Sequence, residues 1–325
     1  MTESELIERY FRRGGGERDD VVLGIGDDAA LLRVPPECEL VLTTDALVEG
    51  RHFLEGASPR SLGHRALAVN LSDIAAMGAA PAWALLSLNL PAADDDWLQE
   101  FSQAFGALAR EQGVALVGGN LTRGPLSITV QLAGLVPAGG ALRRDGAQPG
   151  DLLYVSGTPG DAALGLALQQ AAAGSGGAAT YAEADLAWLR ARHEFPTARV
   201  ALGQALRGLA SACIDVSDGL YTDARRLLQA SGCGATIDVE RLPSSPALRR
   251  VAGAEGWRNV LAGGEDYELC FTVPRALATK LESAAAALIQ PLACIGELTA
   301  GEDITVCSSG VVIGFSSEGF DHFRD

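Results

Sequence analysis

The feature that most constrains this chain is a set of short polar motifs, four acidic and one ending in asparagine, each beside an apolar stretch where a strand or helix would end. They are Gly26-Asp27-Asp28, Thr43-Thr44-Asp45, Asn70-Leu71-Ser72-Asp73, Gly118-Gly119-Asn120 and Asp215-Val216-Ser217-Asp218-Gly219. If the fold brings them together, pairs of unit charges at about 4 Å repel by roughly 4 kcal/mol at an effective dielectric near 20. Such a cluster must take up protons or bind cations. Hard oxygen ligands suit Mg²⁺, so the motifs predict several Mg²⁺ ions and phosphate chemistry.

Composition and charge limit the class of protein. The chain has 325 residues, of which 48% are hydrophobic, so it can form two globular domains and is not disordered. The formal net charge of −16 argues against general binding to nucleic acid or to an anionic membrane surface. A phosphorylated substrate is compatible with this charge, because bound metal ions invert the local field.

Cysteine spacing and the first residues of the chain indicate the compartment. The six cysteines form no C-x-x-C pair, which favours buried thiols in a reducing compartment over a disulfide framework or a zinc site. Met1–Glu5 lacks the basic and apolar regions of a signal peptide, and no apolar run approaches the length of a membrane span. We therefore expect a cytoplasmic protein without a membrane partner.

The near absence of lysine excludes two kinds of phosphate-binding site. Lys280 is the only lysine, and it lies in a predicted amphipathic helix. The sequence contains no G-x-x-x-x-G-K-[ST] motif and no protein-kinase catalytic loop, so it is neither a P-loop protein nor a protein kinase. If this protein uses ATP, metal ions, backbone amides and arginine hold the phosphates.

Strand and helix signals alternate along the chain and predict a mixed α/β (α+β) protein of two domains. The turn signals at Pro149-Gly150 place the boundary between domains 1–148 and 149–325. A strand over Leu40–Thr44 is expected to carry Asp45 at its end, and a strand over Val114–Val117 to lead into the Gly118 motif. Further predicted elements are helices over Glu3–Arg12, Pro59–Met77 and Asp95–Gln112, strands over Leu152–Ser156 and Ala212–Val216, and a small-residue loop over Gly174–Ala179. Ser58 is the predicted N-cap of the second helix, with proline at its first helical position.

Each motif taken alone also has an ordinary structural interpretation. Gly26-Asp27-Asp28 is typical of a turn, and Asp45 can simply cap a strand or helix. The Gly157–Asp161 segment predicts a phosphate cradle at a helix N-terminus or, equally well, a common strand-to-helix turn. A lone histidine such as His52 is more often structural, and Arg144 is by default a solvated arginine. Several acids, however, each follow an apolar run of the kind that forms a buried strand or helix. This recurrence favours a functional site over a series of unrelated turns.

Longer motifs follow one another over nearly the whole chain: Gly26-Asp27-Asp28-Ala29-Ala30, Thr43-Thr44-Asp45, Glu49-Gly50-Arg51-His52-Phe53, Val69-Asn70-Leu71-Ser72-Asp73-Ile74-Ala75-Ala76-Met77-Gly78, Val117-Gly118-Gly119-Asn120, Arg144-Asp145-Gly146-Ala147, Val155-Ser156-Gly157-Thr158-Pro159-Gly160-Asp161, Ile214-Asp215-Val216-Ser217-Asp218-Gly219-Leu220, Gly263-Gly264-Glu265-Asp266-Tyr267 and Gly319-Phe320-Asp321-His322-Phe323. This set resembles the thiamine-monophosphate kinase family. Single motifs are shared with a wider superfamily that includes aminoimidazole-ribonucleotide synthetase, selenophosphate synthetase and a hydrogenase-maturation protein.

The resemblance implies a fold, a reaction and a set of site residues. The fold is an N-terminal α/β domain that binds ATP and Mg²⁺ and whose sheet pairs with a second subunit in a homodimer, beside a C-terminal α/β domain that completes the active site. The reaction is ATP plus thiamine phosphate to ADP plus thiamine diphosphate. The implied metal ligands are Asp28, Thr43, Thr44, Asp45, Asp73, Asn120, Asp215 and Asp218. The implied ATP contacts are Gly119, Asn120, Arg144 and Ser217, and the implied thiamine phosphate contacts are His52, Glu265 and Phe320.

The implied mechanism is direct, in-line phosphoryl transfer. The acceptor is already a phosphate, so the main obstacle is to align two anions, and we expect no covalent phosphoenzyme and no dedicated general base. Phe105 is the one candidate for an aromatic contact with adenine. Two other functions remain open: another ATP-using superfamily enzyme acting on a formyl-amidine or selenide, or a nucleotide- or metal-binding module without turnover.

Overall fold

The computed structural model describes residues 1–173, 181–317 and 319. The chain divides into two compact units: unit 1 comprises Met1–Ile74 and Ala79–Ala141, and unit 2 comprises Ala75–Gly78 and Leu142–Asp325. Each unit contains a β-sheet with helices, which confirms the mixed α/β class. The predicted domain limits at 148/149 stay a prediction. In the part of the chain that the structure describes, no helix is long and apolar enough to cross a membrane.

Unit 1 begins with a short helix and a small hairpin, followed by longer strands and helices. Its elements are α1 (Glu3–Leu6), which continues as a π-helical turn over Ile7–Phe11, β1 (Val21–Leu23), β2 (Leu31–Leu32), β3 (Cys38–Val48), α2 (Pro59–Ala76, of which the last two residues are assigned to unit 2), β4 (Ala80–Leu90), α3 (Asp95–Glu111), β5 (Ala115–Arg123) and β6 (Ser127–Pro137). Helix α2 starts at a proline, which is pre-organised for the first helical position, and is followed by Gly78 at a positive φ of 66°.

The main sheet of unit 1 has two different faces. Its strand order is β3-β6-β4-β5, with β4 and β5 parallel and the other pairs antiparallel. Because side chains alternate between faces, Ile128, Val130 and Leu132 lie on one face, where they are fully buried. Helix α2 packs on that face, which we call the helical face. Leu42 and Leu85 lie on the opposite face, which we call the open face.

The open face is only partly covered within unit 1. At one end Trp83 and Ala133 form a small buried cluster, against which Val21 and Leu32 of the β1–β2 hairpin pack. Leu42 is 70% exposed and Leu85 is 38% exposed on the same face. The hairpin therefore holds the Gly26-Asp27-Asp28 turn beside the open face.

Unit 2 contains a seven-stranded sheet with the order β13-β12-β9-β11-β7-β10-β8. All its strand pairs are antiparallel except β9 with β12. The elements of unit 2 are β7 (Leu152–Ser156), α4 (Asp161–Ala173), α5 (Glu183–Glu194), α6 (Val200–Ala205), β8 (Ala212–Val216), α7 (Leu220–Ser231), β9 (Gly234–Asp238), α8 (Pro246–Ala252), α9 (Gly256–Ala262), β10 (Glu268–Val273), α10 (Ala278–Ala287), β11 (Leu292–Thr299), β12 (Ile304–Ser308) and β13 (Val311–Ile313).

The predicted elements are partly confirmed. Strands β7 and β8 have the predicted bounds; β8 is buried along its length, and β7 is buried except at its first residue, Leu152, which is half-buried. Two predicted strand ends are wrong, because Asp45 lies inside β3 and Gly118-Gly119-Asn120 lies inside β5. The reason is strand pairing: Asp45 pairs with Val130, and Asn120 pairs with Ser87, so the ladders continue beyond the apolar runs. The predicted loop over 174–179 lies outside the described residues.

Candidate functional site

One group of predicted site residues lies on the helical face of the unit 1 sheet. The hydroxyl of Thr43, on β3, donates a hydrogen bond of 2.5 Å to Oδ2 of Asp73, on α2. Asp45 follows Thr43 by two residues on an uninterrupted strand, so it projects from the same face. The structure therefore brings a hydroxyl and a carboxylate into contact and places a second carboxylate on the same side of the sheet.

A second group lies on the open face. Asp27 and Asp28 sit in the turn between β1 and β2, and Oδ1 of Asp27 accepts the Asp28 N–H at 2.8 Å. They line a cavity of about 920 Å³, together with Gly119 and Asn120 of β5. A Cβ at Gly119 would lie 1.8 Å from the Leu86 carbonyl oxygen, so only glycine fits there. This cavity combines two carboxylates, an amide and backbone N–H groups.

Thr44 also belongs to the open face. It lies between Thr43 and Asp45 on β3, so strand alternation directs it away from the helical face. Its hydroxyl donates to the backbone carbonyl of Val130 at 3.2 Å. The Thr43-Thr44-Asp45 motif thus places side-chain oxygens, which can serve as metal ligands, on both faces of one sheet.

The two groups are not one ligand cluster within unit 1. Asp45 pairs with Val130, Val130 with Leu86, and Leu86 with Gly119. Three strand spacings therefore separate Asp45 from Gly119, which amounts to about 14 Å. Among the described residues, no group of three or more His, Cys, Asp or Glu is placed to hold a metal ion. The donors still fit Mg²⁺, which is usually bound through one or two carboxylates, water and substrate phosphates rather than by an all-protein cage.

His52 is held by a tight turn after β3. The Val48 N–H donates to Nδ1 of His52 at 3.0 Å, and Nη1 of Arg65 donates to the His52 carbonyl at 2.8 Å. Because Nδ1 accepts a hydrogen bond, a neutral His52 ring carries its proton on Nε2. The turn therefore orients the imidazole with Nε2 as its donor.

In unit 2, Asp223 fixes the turn that carries Ser217 and Asp218. Asp215 is buried near the end of β8, and Ser217–Gly219 connects that strand to α7. Oδ2 of Asp223 accepts the backbone N–H groups of Ser217 at 3.0 Å and of Asp218 at 2.9 Å. Burial raises the pKa of Asp223 to about 6, against the opposing effect of these hydrogen bonds. Sequence reasoning missed Asp223, although its spacing from Asp218 places it one turn into the helix.

The Glu265 segment packs directly against the same turn. The Glu265 N–H donates to the Ser217 carbonyl at 2.7 Å, and the Tyr267 hydroxyl donates to Oε2 of Glu265 at 2.9 Å. Glu265 and Tyr267 both have positive φ, at 68° and 54°, which is strained for non-glycine residues. A Cβ at Gly264 would lie 2.5 Å from the Ser217 carbonyl oxygen. Close backbone packing therefore brings the predicted residues Ser217, Asp218 and Glu265 together.

The Gly157–Asp161 segment is organised by buried acids. Asp266 accepts the N–H groups of Gly160 at 2.7 Å and of Ala162 at 3.3 Å, at the start of α4. Burial raises the pKa of Asp266 well above its usual range, although these two hydrogen bonds lower it. A protein carboxyl group thus occupies two of the amides that the phosphate-cradle interpretation would need. This observation favours the strand-to-helix-turn interpretation.

The remaining predicted residues have different outcomes. Arg144 is exposed, and its carbonyl accepts a hydrogen bond from the Ser231 hydroxyl at 2.9 Å, whereas neighbouring Arg143 pairs with Asp145. Phe105 is wrong as an adenine contact, because it is buried beside Phe101 with ring centroids 6.3 Å apart. Phe320 lies outside the described residues.

Comparison with known proteins identifies the family. Residues 26–136 match the model of the AIR synthase related protein, N-terminal domain, and residues 148–307 match that of its C-terminal domain. The chain is 49% identical over 323 residues to the thiamine-monophosphate kinase of Salmonella typhimurium, covering 99% of this chain and 98% of the relative. It is 42% identical to that of Haemophilus influenzae, covering 100% and 99%.

Solved structures agree with this result. A crystal structure of thiamine-monophosphate kinase from Stenotrophomonas maltophilia K279a has a TM-score of 0.87 and 46% identity, covering 96% of this chain and 98% of that one. A structure described as AaThiL complexed with AMPPCP and TMP has a TM-score of 0.77 and 34% identity, covering 92% of both chains. From its sequence and its fold, the chain belongs to the thiamine-monophosphate kinase family.

Proposed function

We propose that this protein transfers the terminal phosphoryl group of ATP to thiamine phosphate, giving ADP and thiamine diphosphate. The observation that carries the proposal is 49% identity over nearly the full length of a thiamine-monophosphate kinase. A relative of 34% identity was solved with AMPPCP and TMP, which are an ATP analogue and the expected acceptor. The alternative of a binding module without turnover has no comparable support.

Several Mg²⁺ ions belong to this proposal, because two anionic reactants must be aligned. The proposed ligands are Asp28, Thr43, Thr44, Asp45, Asp73, Asn120, Asp215 and Asp218. When bound, the ions would neutralise phosphate charge. The protein's own contribution is positioning: Thr43 orients the Asp73 carboxylate, and Asp223 holds the Ser217–Asp218 turn. We propose no covalent phosphoenzyme and no general base.

The substrate contacts are proposed residue by residue. Gly119, Asn120, Arg144 and Ser217 would contact ATP. His52 would donate from Nε2 to the phosphate of thiamine phosphate, since its Nδ1 already accepts from Val48. Glu265 would complement the cationic thiazolium, and Phe320 would lie against a ring of the substrate.

Substrate choice tests the proposed function. In a coupled assay of ADP release, we expect turnover with thiamine phosphate and at least roughly 100-fold lower kcat/KM with free thiamine, because the proposed Mg²⁺ ions and Arg144 need an anionic acceptor to align. A formyl-amidine ribonucleotide serves as the comparison substrate for the aminoimidazole alternative. Equal turnover of thiamine and thiamine phosphate would contradict the proposal, and ADP release only with the amidine would favour the alternative.

We also propose that the protein is a cytoplasmic homodimer that pairs through the open faces of unit 1. Leu42 and Leu85 are exposed there, and an apolar patch of this kind favours association. Strand β3 is an edge strand of its sheet, so it also benefits from cover. All six cysteines are free thiols, which supports a reducing compartment.

Replacing Leu42 tests the dimer. We expect wild type to sediment as a dimer at micromolar concentration and Leu42→Glu to raise the dissociation constant at least roughly tenfold, because the substitution buries a charge at the interface. Val311→Glu is a matched control, since Val311 is 65% exposed on β13 of unit 2. A wild-type monomer with full activity, or equal dissociation of both variants, would exclude this interface.

A further inference from the structure

Arg226 bridges two carboxylates beside the proposed metal ligand Asp218. Its Nη1 lies 2.5 Å from Oδ2 of Asp218 and 2.7 Å from Oδ1 of Asp223. The Arg226 side chain is 42% exposed and that of Asp218 is 27% exposed, whereas Asp223 is buried. One guanidinium thus compensates an accessible acid and a buried acid at the same time.

The two acids are held very differently. Asp223 accepts two backbone N–H groups through Oδ2 in addition to Arg226 through Oδ1. Among the described residues, Arg226 is the one group that donates to the Asp218 carboxylate. Releasing Asp218 from Arg226 would therefore leave the turn intact and the arginine still anchored on Asp223.

We propose that Arg226 is an exchangeable counter-ion. It neutralises Asp218 when no metal is bound, and it releases the Asp218 carboxylate when Mg²⁺ binds. This inference rests on the proposed role of Asp218 as a magnesium ligand. An arginine is suited to this role because its guanidinium stays charged at every relevant pH. Mg²⁺ can therefore replace it beside Asp218 without the uptake or release of a proton. The metal-free protein thereby avoids two uncompensated neighbouring carboxylates.

The exchange makes two properties move in opposite directions. Arg226 stabilises the metal-free protein, and the same contact competes with Mg²⁺ for Asp218. By linkage, a contact that is present only in the metal-free state weakens metal binding by the amount that it stabilises that state. Removing Arg226 should therefore lower the metal-free Tm and strengthen the binding of Mg²⁺.

The test uses the full-length protein, with Mg²⁺ alone as the ligand and no nucleotide. For Arg226→Gln we expect a lower Tm in EDTA. In calorimetry we expect its Kd for Mg²⁺ to be reduced by roughly three- to tenfold, because the variant loses one partly screened charge interaction that competes with the metal. Arg226→Lys keeps the charge and should stay close to wild type. Arg225→Gln is the matched control, because Arg225 forms no ion pair with any residue that the structure describes. This substitution should change neither the Tm nor the Kd.

The outcomes separate this inference from its premise. A purely structural Arg226 would lower the Tm equally with and without Mg²⁺ and leave the Kd unchanged, which would overturn the exchange. Asp218→Asn should weaken Mg²⁺ binding. If it does and Arg226→Gln has no effect on the Kd, the exchange is wrong and the metal role of Asp218 stands. If Asp218→Asn leaves Mg²⁺ binding unchanged, the premise itself fails.

Discussion

Asp73→Asn is expected to reduce kcat by roughly 10²- to 10³-fold at saturating Mg²⁺, ATP and thiamine phosphate, the range for losing one preorganised electrostatic contact. The substitution removes a negative charge but keeps a side-chain oxygen that can accept a hydrogen bond from the Thr43 hydroxyl. In the native protein this hydroxyl lies 2.5 Å from Oδ2 of Asp73. The local fold should therefore persist, and the loss should fall on metal binding. Asp45→Asn, on the same face of the sheet, should behave similarly.

The controls for this prediction are an unrelated acid and the metal-free protein. Asp96→Asn removes the same charge at an exposed position early in α3 and should leave kcat unchanged. Without metal, Asp73→Asn should melt at the wild-type temperature or above it, because carboxylate repulsion is relieved. Near-normal turnover of both Asp73→Asn and Asp45→Asn at saturating Mg²⁺ would remove these residues from the proposed ligand set.

Glu268→Gln is expected to lower the free energy of unfolding by about 3–5 kcal/mol, the typical cost of breaking a buried ion pair by removing one partner. The Glu268 side chain is 0% exposed. It accepts from Arg199 Nε at 2.6 Å, from Arg192 Nη2 at 2.8 Å and from the Ser156 hydroxyl at 2.6 Å. Glutamine would leave both arginines largely buried without a counter-charge. Urea denaturation of the two proteins measures the difference.

Glu297→Gln is the matched control, because Glu297 pairs with Arg275 at 2.7 Å on the surface, where the side chains are 50% and 63% exposed. It should leave the urea midpoint unchanged, since exposed ion pairs contribute little. An equally small effect of Glu268→Gln would mean that the buried cluster does not stabilise unit 2.

The pH dependence of stability follows from the same cluster. Burial opposes ionisation of Glu268, but the hydrogen bonds and charge of Arg199 and the charge of Arg192 hold its pKa below the ordinary value of 4.5. The folded pKa is therefore lower than the unfolded one. The resulting stability is present above about pH 4.5 and is lost as the pH falls through the folded pKa. Glu268→Gln should flatten this part of the stability profile.

Local sequence signals were sufficient where apolar runs are bounded by turn residues. Strands Leu152–Ser156 and Ala212–Val216 have the bounds predicted from their apolar runs, and α2 begins at the predicted Pro59. The same signals failed for Asp45 and for Gly118-Gly119-Asn120. In a sequence, polar residues and glycines indicate the end of a strand. Here, however, neighbouring strands pair with the backbone of these residues, so the hydrogen-bonded strands continue through them.

For this protein, the sequence alone determined the mixed α/β class, the family and the hard-oxygen character of the candidate metal ligands, because these depend on residue type and local spacing. The tertiary structure decided which ligands share a face of the unit 1 sheet, and that Asp223 and Asp266 bind backbone amides rather than solvent. It also decided that Phe105 is a core residue. Such facts depend on strand register and on packing between residues far apart in the chain, which spacing along one sequence does not encode.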